Sequence, residues 1–168
     1  TTGDFNTVLG AAALNAATTS DNNIAIGPNA IQYSDTEAHN LAIGRDALNQ
    51  VNSGGEYNVA IGNYSLDALT SADKCVAVGY QAGSAITTGG ANTLVGNETG
   101  KSITTGTFNT FFGFEAGDNF DAESNNLGIG ASALGGAIAG GEFNVAVGNN
   151  ALDALTSGDN NIAVGYNA

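Results

Sequence analysis

A five-residue pattern, usually an asparagine followed by three mostly apolar residues and a glycine, recurs ten times along the 168-residue chain. Its glycines lie at positions 10, 27, 44, 62, 79, 96, 113, 130, 148 and 165, so the interval is nearly constant. Such recurrence is typical of solenoids, in which each repeat is one structural unit stacked on its neighbours. The copies occupy nearly the whole chain, so we expect a repeat architecture and no separate catalytic domain.

Each copy contains a short apolar run between the asparagine and the glycine, as in Asn144–Gly148. Such a run predicts a short strand, and alternation places Val145 and Val147 on one face and Asn144 and Ala146 on the other. A second apolar position, usually leucine, follows the glycine. We therefore predict an all-β fold, a parallel β-roll (β-solenoid) of about ten coils, each of about 17–18 residues. Each coil is expected to hold two short strands and two turns.

A longer repeat lies above the coil, because every coil glycine in the first half recurs 86 residues later. The sequence Leu66–Ser71, for example, is identical to Leu152–Ser157. We predict a single β-solenoid domain over 1–168, made of two super-repeats, 1–86 and 87–168. Neither end carries the polar cap that an isolated solenoid needs, so we expect an excerpt from a longer fibre.

Two expectations concern packing. In three consecutive coils the leucine position is a glycine, at Gly83, Gly100 and Gly117. The roll should be thinner there, or filled by Phe111, Phe112 and Phe114. A rod this thin also buries little surface by itself. Lateral association of identical rods would remedy this, through the alanine and glycine positions of the strands.

Composition excludes several classes of function. The net charge is -13, with three cations against 16 acidic residues, which argues against nucleic-acid binding and against anionic membrane surfaces. The sequence contains no apolar run of about 18 residues, so we expect no direct membrane insertion. Only 11% of residues are charged and 25 are glycine, which indicates stacked backbone with short side chains. Cys75 is the single cysteine, so no disulfide can form within the chain.

The repeated pattern, as in Asn40–Leu48 and Asn144–Leu152, resembles the head repeats of YadA-like trimeric autotransporter adhesins. Its longer period, with Thr-Thr-Gly turns, is similar to repeats of bacteriophage tail fibres and large bacterial surface fibres. The resemblance implies a left-handed roll in a homotrimer, located extracellularly, on the cell surface or on a virion. It also implies binding to a host-surface glycan or protein receptor.

Stacked asparagines are expected to form a structural ladder, because their amides can hydrogen-bond along the solenoid and asparagine also favours the turn before a strand. Cysteine replaces the ladder asparagine at position 75, where we expect a buried small residue. The ladder residues are Asn6, Asn23, Asn40, Asn58, Asn92, Asn109, Asn126, Asn144 and Asn161.

Acidic residues lie two positions before the ladder residue in six coils. In the stacked arrangement pairs of them fall about 4.8 Å apart, and like charges this close could recruit calcium. A solvated acidic edge that keeps the fibre soluble is the alternative. No other cofactor is expected. The candidate calcium ligands are Asp4, Asp21, Glu56, Asp73, Glu142 and Asp159, with Asn22 or Asn160 as an additional ligand.

The remaining functional candidates are aromatic. One set follows the coil glycine (Tyr64, Tyr80, Phe114 and Tyr166), and another precedes the ladder (Phe5, Tyr57, Phe108 and Phe143). One set is expected to pack between chains, and the other could offer stacking platforms for sugars. His39 has no nucleophile partner in a catalytic pattern and is expected at the surface or in a ladder.

We therefore predict a non-enzymatic structural and adhesive segment of an extracellular or virion fibre, which acts as a stiff shaft or an adhesin head. The alternative is a surface-recognition solenoid that binds glycans or, with less support from its threonines, ice. A polysaccharide-cleaving solenoid would need one distinct pair of acids. The acids here are too periodic to single out such a pair.

Overall fold

The computed structural model describes residues 3–51, 53–136 and 140–168. Ten three-residue strands stack in chain order into one parallel sheet, and the described residues contain no helix. This confirms the predicted all-β parallel solenoid. The strands are β1 (Thr7–Leu9), β2 (Ile24–Ile26), β3 (Leu41–Ile43), β4 (Val59–Ile61), β5 (Val76–Val78), β6 (Thr93–Val95), β7 (Thr110–Phe112), β8 (Leu127–Ile129), β9 (Val145–Val147) and β10 (Ile162–Val164).

The glycine after each strand is required by both its backbone conformation and its neighbour. These ten glycines have φ between 129° and 147°, a region that residues with a side chain rarely adopt. A Cβ added at Gly79 would also lie 2.1 Å from the carbonyl oxygen of Gly96 in the next coil. The same clash recurs from Gly10 to Gly148. The glycine column is therefore fixed by the close stacking of one coil on the next.

The central residue of every strand from β2 to β9 is buried inside the coil, whereas the two flanking residues point outward. Ala25, Ala60 and Ala77 are fully buried in the single chain. The expectation that strand alanines would form a lateral contact surface is therefore wrong. Alanine is placed inside because so short a coil leaves little room between the strand and the leucine column opposite it.

The second apolar position of the coil is part of the core but not a strand. Leu48 is fully buried, yet its φ is 52°, and that of Asp46 is also 52°. Left-handed residues at two alternate positions prevent the extended conformation that a strand needs. The predicted second strand is therefore absent from the described residues. Hydrogen bonding between coils continues, because the amide of Leu48 donates to the carbonyl of Ser65 at 2.9 Å.

The three coils with glycine at the leucine position are filled from elsewhere. A Cβ at Gly100 would lie 2.9 Å from Leu94, and one at Gly117 would lie 2.2 Å from Phe111. Phe111 is fully buried, so the expectation that phenylalanines fill this region is confirmed for Phe111 at Gly117 and is wrong for the other two. Phe112 and Phe114 are 40% and 51% exposed and do not fill the core. Alternation turns Phe112 outward as the third residue of β7, and Phe114 lies beyond the strand, after Gly113.

Membrane spans were sought only in the described part of the chain, where no helix has the length and apolarity to cross a bilayer.

Candidate functional surfaces

The ladder asparagines face inward and join each coil to its neighbours through the backbone. The amide of Asn58 donates to the side-chain oxygen of Asn40, and the Asn58 Nδ2 donates to the carbonyl of Ala72, both at 2.9 Å. The side-chain oxygen of Asn58 in turn accepts the amide of Cys75 at 2.9 Å. Among the ladder residues that the structure describes, direct bonds between side-chain amides join those from Asn109 onward, as from Asn161 to Asn144 at 2.9 Å. Most of the ladder thus consists of side-chain-to-backbone bonds.

Cys75 interrupts this ladder. Its thiol lies 3.4 Å from the carbonyl of Gly89, where an asparagine would donate, but it offers no oxygen to the amide of Asn92. Burial raises the pKa of the Cys75 thiol to about 11, so the group stays protonated near neutral pH. A buried neutral thiol is a poor nucleophile. The position therefore acts as a structural residue.

The acidic residues before the ladder have a structural use in the pairs that were predicted to hold calcium. Asp21 accepts the backbone amide of Asp4 at 2.6 Å, and Asp73 accepts that of Glu56 at 2.8 Å. Asp159 accepts the amide of Glu142 at 2.9 Å. One carboxylate oxygen of each pair is thereby engaged by the backbone.

A search of the residues that the structure describes finds no group of three or more acidic, histidine or cysteine side chains arranged around a metal. Calcium binding stays a prediction. A melting curve in calcium compared with one in chelator tests it, because calcium bound to the folded state would raise the melting temperature.

Two buried glutamates were missed by the sequence reasoning. Glu37 is 3% exposed, and its carboxylate accepts the Ser34 hydroxyl and the amides of Asp35, Thr36 and Gly54 at 2.9–3.1 Å. It therefore organises a turn and ties it to the next coil. Their place in the coil was the available signal, because both occupy a position that glycine, alanine or serine fills elsewhere.

Glu123, the second of these glutamates, lies 86 residues after Glu37 and is 8% exposed. It accepts the amides of Asp121 and Gly140, both at 2.9 Å. The same buried carboxylate thus joins two coils in each half of the chain.

The outer sheet face runs along all ten strands. It consists of the first and third residues of every strand, seventeen apolar side chains and three threonines, with no charged residue. All 16 acidic residues therefore lie elsewhere, although the net charge is -13. In mid-sheet these side chains are half-buried, and Phe112 and Ile129 are 40% and 41% exposed. Exposed apolar area of this extent marks an interaction surface.

A second surface runs along the residues that directly precede the ladder, which we call the pre-asparagine column. All ten have φ between 56° and 63°, so their side chains leave the backbone in the same way. His39 and Tyr57, in adjacent coils, stack with ring centroids 4.9 Å apart and planes 3° apart. The column comprises Phe5, Asn22, His39, Tyr57, Lys74, Ala91, Phe108, Asn125, Phe143 and Asn160.

The aromatic residues of both predicted sets are mainly at the surface. Phe108 and Phe143 of the pre-asparagine column are 63% and 53% exposed. Tyr64 and Tyr80, which follow the coil glycine, form an edge-to-face pair with centroids 6.0 Å apart. His39 is exposed and stacked on Tyr57, so the structure places it at the surface as expected.

A depression of about 310 Å³ opens beside the column at Ala91. This volume is at the lower end of the range of about 300–1,000 Å³ that is usual for ligand pockets.

Comparison of the chain with protein-family models, with curated proteins and with solved structures finds no match in any of the three. Function must therefore be argued from the surfaces themselves.

Proposed function

We propose that this chain is a non-enzymatic structural segment of an extracellular or virion fibre, built by lateral association of identical chains, most simply a homotrimer. The observation that carries the proposal is the outer sheet face, an uncharged apolar surface on an otherwise strongly acidic molecule. Burial of that face between copies would stabilise the assembly through the hydrophobic effect. The acidic residues other than the buried Glu37 and Glu123 would stay off this interface and keep the fibre soluble.

A second copy of the chain is the partner that fits this face best. The face repeats with every coil, so a partner with the same rise per coil can make the same contact at all ten strands. Another copy has that rise by construction. Closed symmetry is also the usual arrangement of identical chains. The continuous backbone ladders then make the assembly a stiff rod that spaces or displays a binding surface.

The test is the oligomeric state of the chain, measured by sedimentation or native mass spectrometry. We expect a trimer for the wild type. Exchange of two mid-sheet residues for acids, Val78→Asp with Val95→Asp, should produce monomers, because two charges would be buried in each interface. Thr105→Asp is the matched control, since Thr105 is exposed in a turn and should leave the trimer intact. A wild-type monomer with all coils folded would refute the proposal.

Glycan recognition is a second candidate function, favoured by the exposed aromatic residues and the depression of the pre-asparagine column. Aromatic rings with exposed faces provide stacking surfaces, and neighbouring polar groups provide orientation. Binding to a glycan array tests recognition, and incubation with polysaccharides followed by a reducing-sugar assay tests cleavage. Release of reducing ends would contradict a non-enzymatic role.

A further inference from the structure

The depression at Ala91 is created by one missing side chain. Its two neighbours in the pre-asparagine column, Lys74 and Phe108, project from the coils on either side, whereas Ala91 ends at its Cβ. Neighbouring coils are one strand spacing apart, about 4.8 Å, so the two flanking side chains start about 10 Å apart. The result is a slot one coil wide with Phe108 as one wall.

The stacked pair His39 and Tyr57 shows what such a slot accommodates. These two residues occupy adjacent coils of the same column, and their φ values of 60° and 59° match the 58° of both Ala91 and Phe108. Their rings are parallel at a centroid distance of 4.9 Å. A six-membered ring bound over Ala91 would therefore lie at stacking distance from Phe108. It would take the place that the ring of the adjacent coil takes in the His39–Tyr57 pair.

The polar residues around the slot indicate which kind of ring can bind there. Ser71, Thr88 and Thr107 line it, together with Asp73 and Lys74. Asp73 uses Oδ1 to accept the amide of Glu56. Among the described residues no hydrogen bond or ion pair engages its Oδ2 or the Lys74 ammonium. Both residues are exposed and therefore hydrated, so an aromatic ligand would displace water from these groups without replacing its bonds, whereas a ring bearing hydroxyl groups would replace them.

The net charge of the molecule restricts the class of sugar further. Asp73 and Lys74 balance each other at the slot, while the molecule as a whole carries a net charge of -13. An anionic sugar would be repelled by this overall charge, and a neutral sugar would not. We propose that the slot formed by Lys74, Ala91 and Phe108 is a binding site for one neutral pyranose residue of a glycan. This inference rests on the second candidate function above and gives it a place and a ligand class.

The test is a titration of the chain with neutral methyl glycosides of glucose, galactose, mannose and N-acetylglucosamine, followed by NMR of the backbone amides. Glucuronic acid and sialic acid serve as the anionic comparison. We expect at least one neutral glycoside to shift the amides of Ala91 and Phe108 at millimolar concentrations, as is usual for a single small ligand with few contacts. The anionic sugars should bind at least about tenfold more weakly, a difference of about 1.4 kcal/mol.

Two variants locate the site. Ala91→Tyr fills the slot with a ring of the kind that Tyr57 already places in this column, and it should abolish the shifts. Phe108→Ser removes the stacking wall and should weaken binding about tenfold. Phe143→Ser is the matched control, because Phe143 lies in the same column between Asn125 and Asn160, with no empty slot beside it. It should bind like the wild type.

Absence of binding by every neutral glycoside would overturn the inference, and so would unchanged binding by Ala91→Tyr. Equal or tighter binding of the anionic sugars would also refute the ligand class. Sedimentation of the same samples separates this result from the fibre proposal. A trimer that binds no sugar retains the fibre and removes the site, whereas a monomer that binds a neutral sugar at Ala91 does the opposite.

Discussion

The two halves of the chain have the same backbone but fill it differently. In the first half Ala25 lies at a strand centre, with Ile31 in the following turn and Ala42 in the next strand. The residues 86 positions later are Phe111, Gly117 and Gly128. A large strand centre is thus paired with two glycines, and a small strand centre is paired with a large turn residue.

The two halves therefore keep a similar core volume with different residues. A Cβ at Gly117 would lie 2.2 Å from the Phe111 ring, and one at Gly128 would lie 2.9 Å from it. The turn position also has a conformational cost, because its φ is 50° at Ile31 and 59° at Gly117. Glycine adopts this region freely, whereas a β-branched residue is strained there. In the second half Gly117 avoids that backbone strain. The large side chain of Phe111 at the strand centre fills the volume that Ile31 fills in the first half.

Removing the large strand-centre ring of the second half should lower the free energy of unfolding most. Phe111→Ala should destabilise the chain by about 3–5 kcal/mol, because it opens a cavity between two glycines that cannot fill it. Urea unfolding measures the loss. Phe143→Ala is the control, since this ring is 53% exposed and lies outside the outer sheet face, and its loss should cost about 1 kcal/mol or less.

Placing the core residues of the first half at the equivalent positions of the second half tests whether the two packings are interchangeable. Adding Gly117→Ile and Gly128→Ala to Phe111→Ala restores the residues found at 25, 31 and 42. Part of the lost stability should return, less the strain of isoleucine at positive φ, of about 1–2 kcal/mol. Equal stability of the single and triple variants would show that the halves do not exchange core volume in this way.

The ladder gives the next largest effect. Asn109→Ala should cost about 3 kcal/mol, because it leaves the amide of Asn126 and the carbonyl of Glu123 without their bonds of 3.0 and 2.8 Å. Urea unfolding checks the value. Asn97→Ala is the control, because Asn97 is exposed and should change stability by well under 1 kcal/mol.

The reverse experiment is Cys75→Asn, which would complete the ladder in the first half as Asn161 does 86 residues later. We expect a gain of about 1 kcal/mol in unfolding free energy at pH 7, from one new bond to the amide of Asn92. The raised pKa of the Cys75 thiol adds a pH dependence. Wild-type stability should fall as pH rises from 9 towards 11, where only the unfolded thiol ionises, and the variant should lack this fall. A Cys75→Asn variant no more stable than the wild type would contradict this role for the ladder.

The smallest expected change in stability concerns Asp67, which is buried in part, whereas its second-half counterpart Asp153 is exposed. Burial raises the pKa of Asp67 to about 6, and its Oδ1 is buried without a hydrogen-bond partner. Stability from the protonated form is present below pH 3.8 and is lost as pH rises through 6. Asp67→Asn should therefore add about 1 kcal/mol at pH 7, allowing for partial solvent screening, and nothing at pH 3.

Asp153→Asn is the matched control, because Asp153 is exposed. Thermal melts of both variants at the two pH values provide the measurement. A gain from Asp67→Asn that is the same at pH 3 and pH 7 would show that ionisation is not its cause.

Much of the architecture was predictable because it follows from spacing alone. The nearly constant interval between copies places identical positions above one another, which is enough to predict in-register parallel strands. The glycine column was equally visible. The pre-asparagine slot was not, because Ala91 looks unremarkable until Lys74 and Phe108 are seen in the coils on either side of it.

Residue spacing and composition are enough to establish the coil, its period, its strand positions and its acidic character. Tertiary structure decided which strand face is inside, because alternation defines two faces without saying which one the remaining residues of the coil will cover. It also decided that the leucine position is a left-handed turn, since a residue with a side chain holds that φ only when surrounding contacts offset the strain. The outer sheet face became a candidate interface only once Ala25 and its equivalents were seen to be buried.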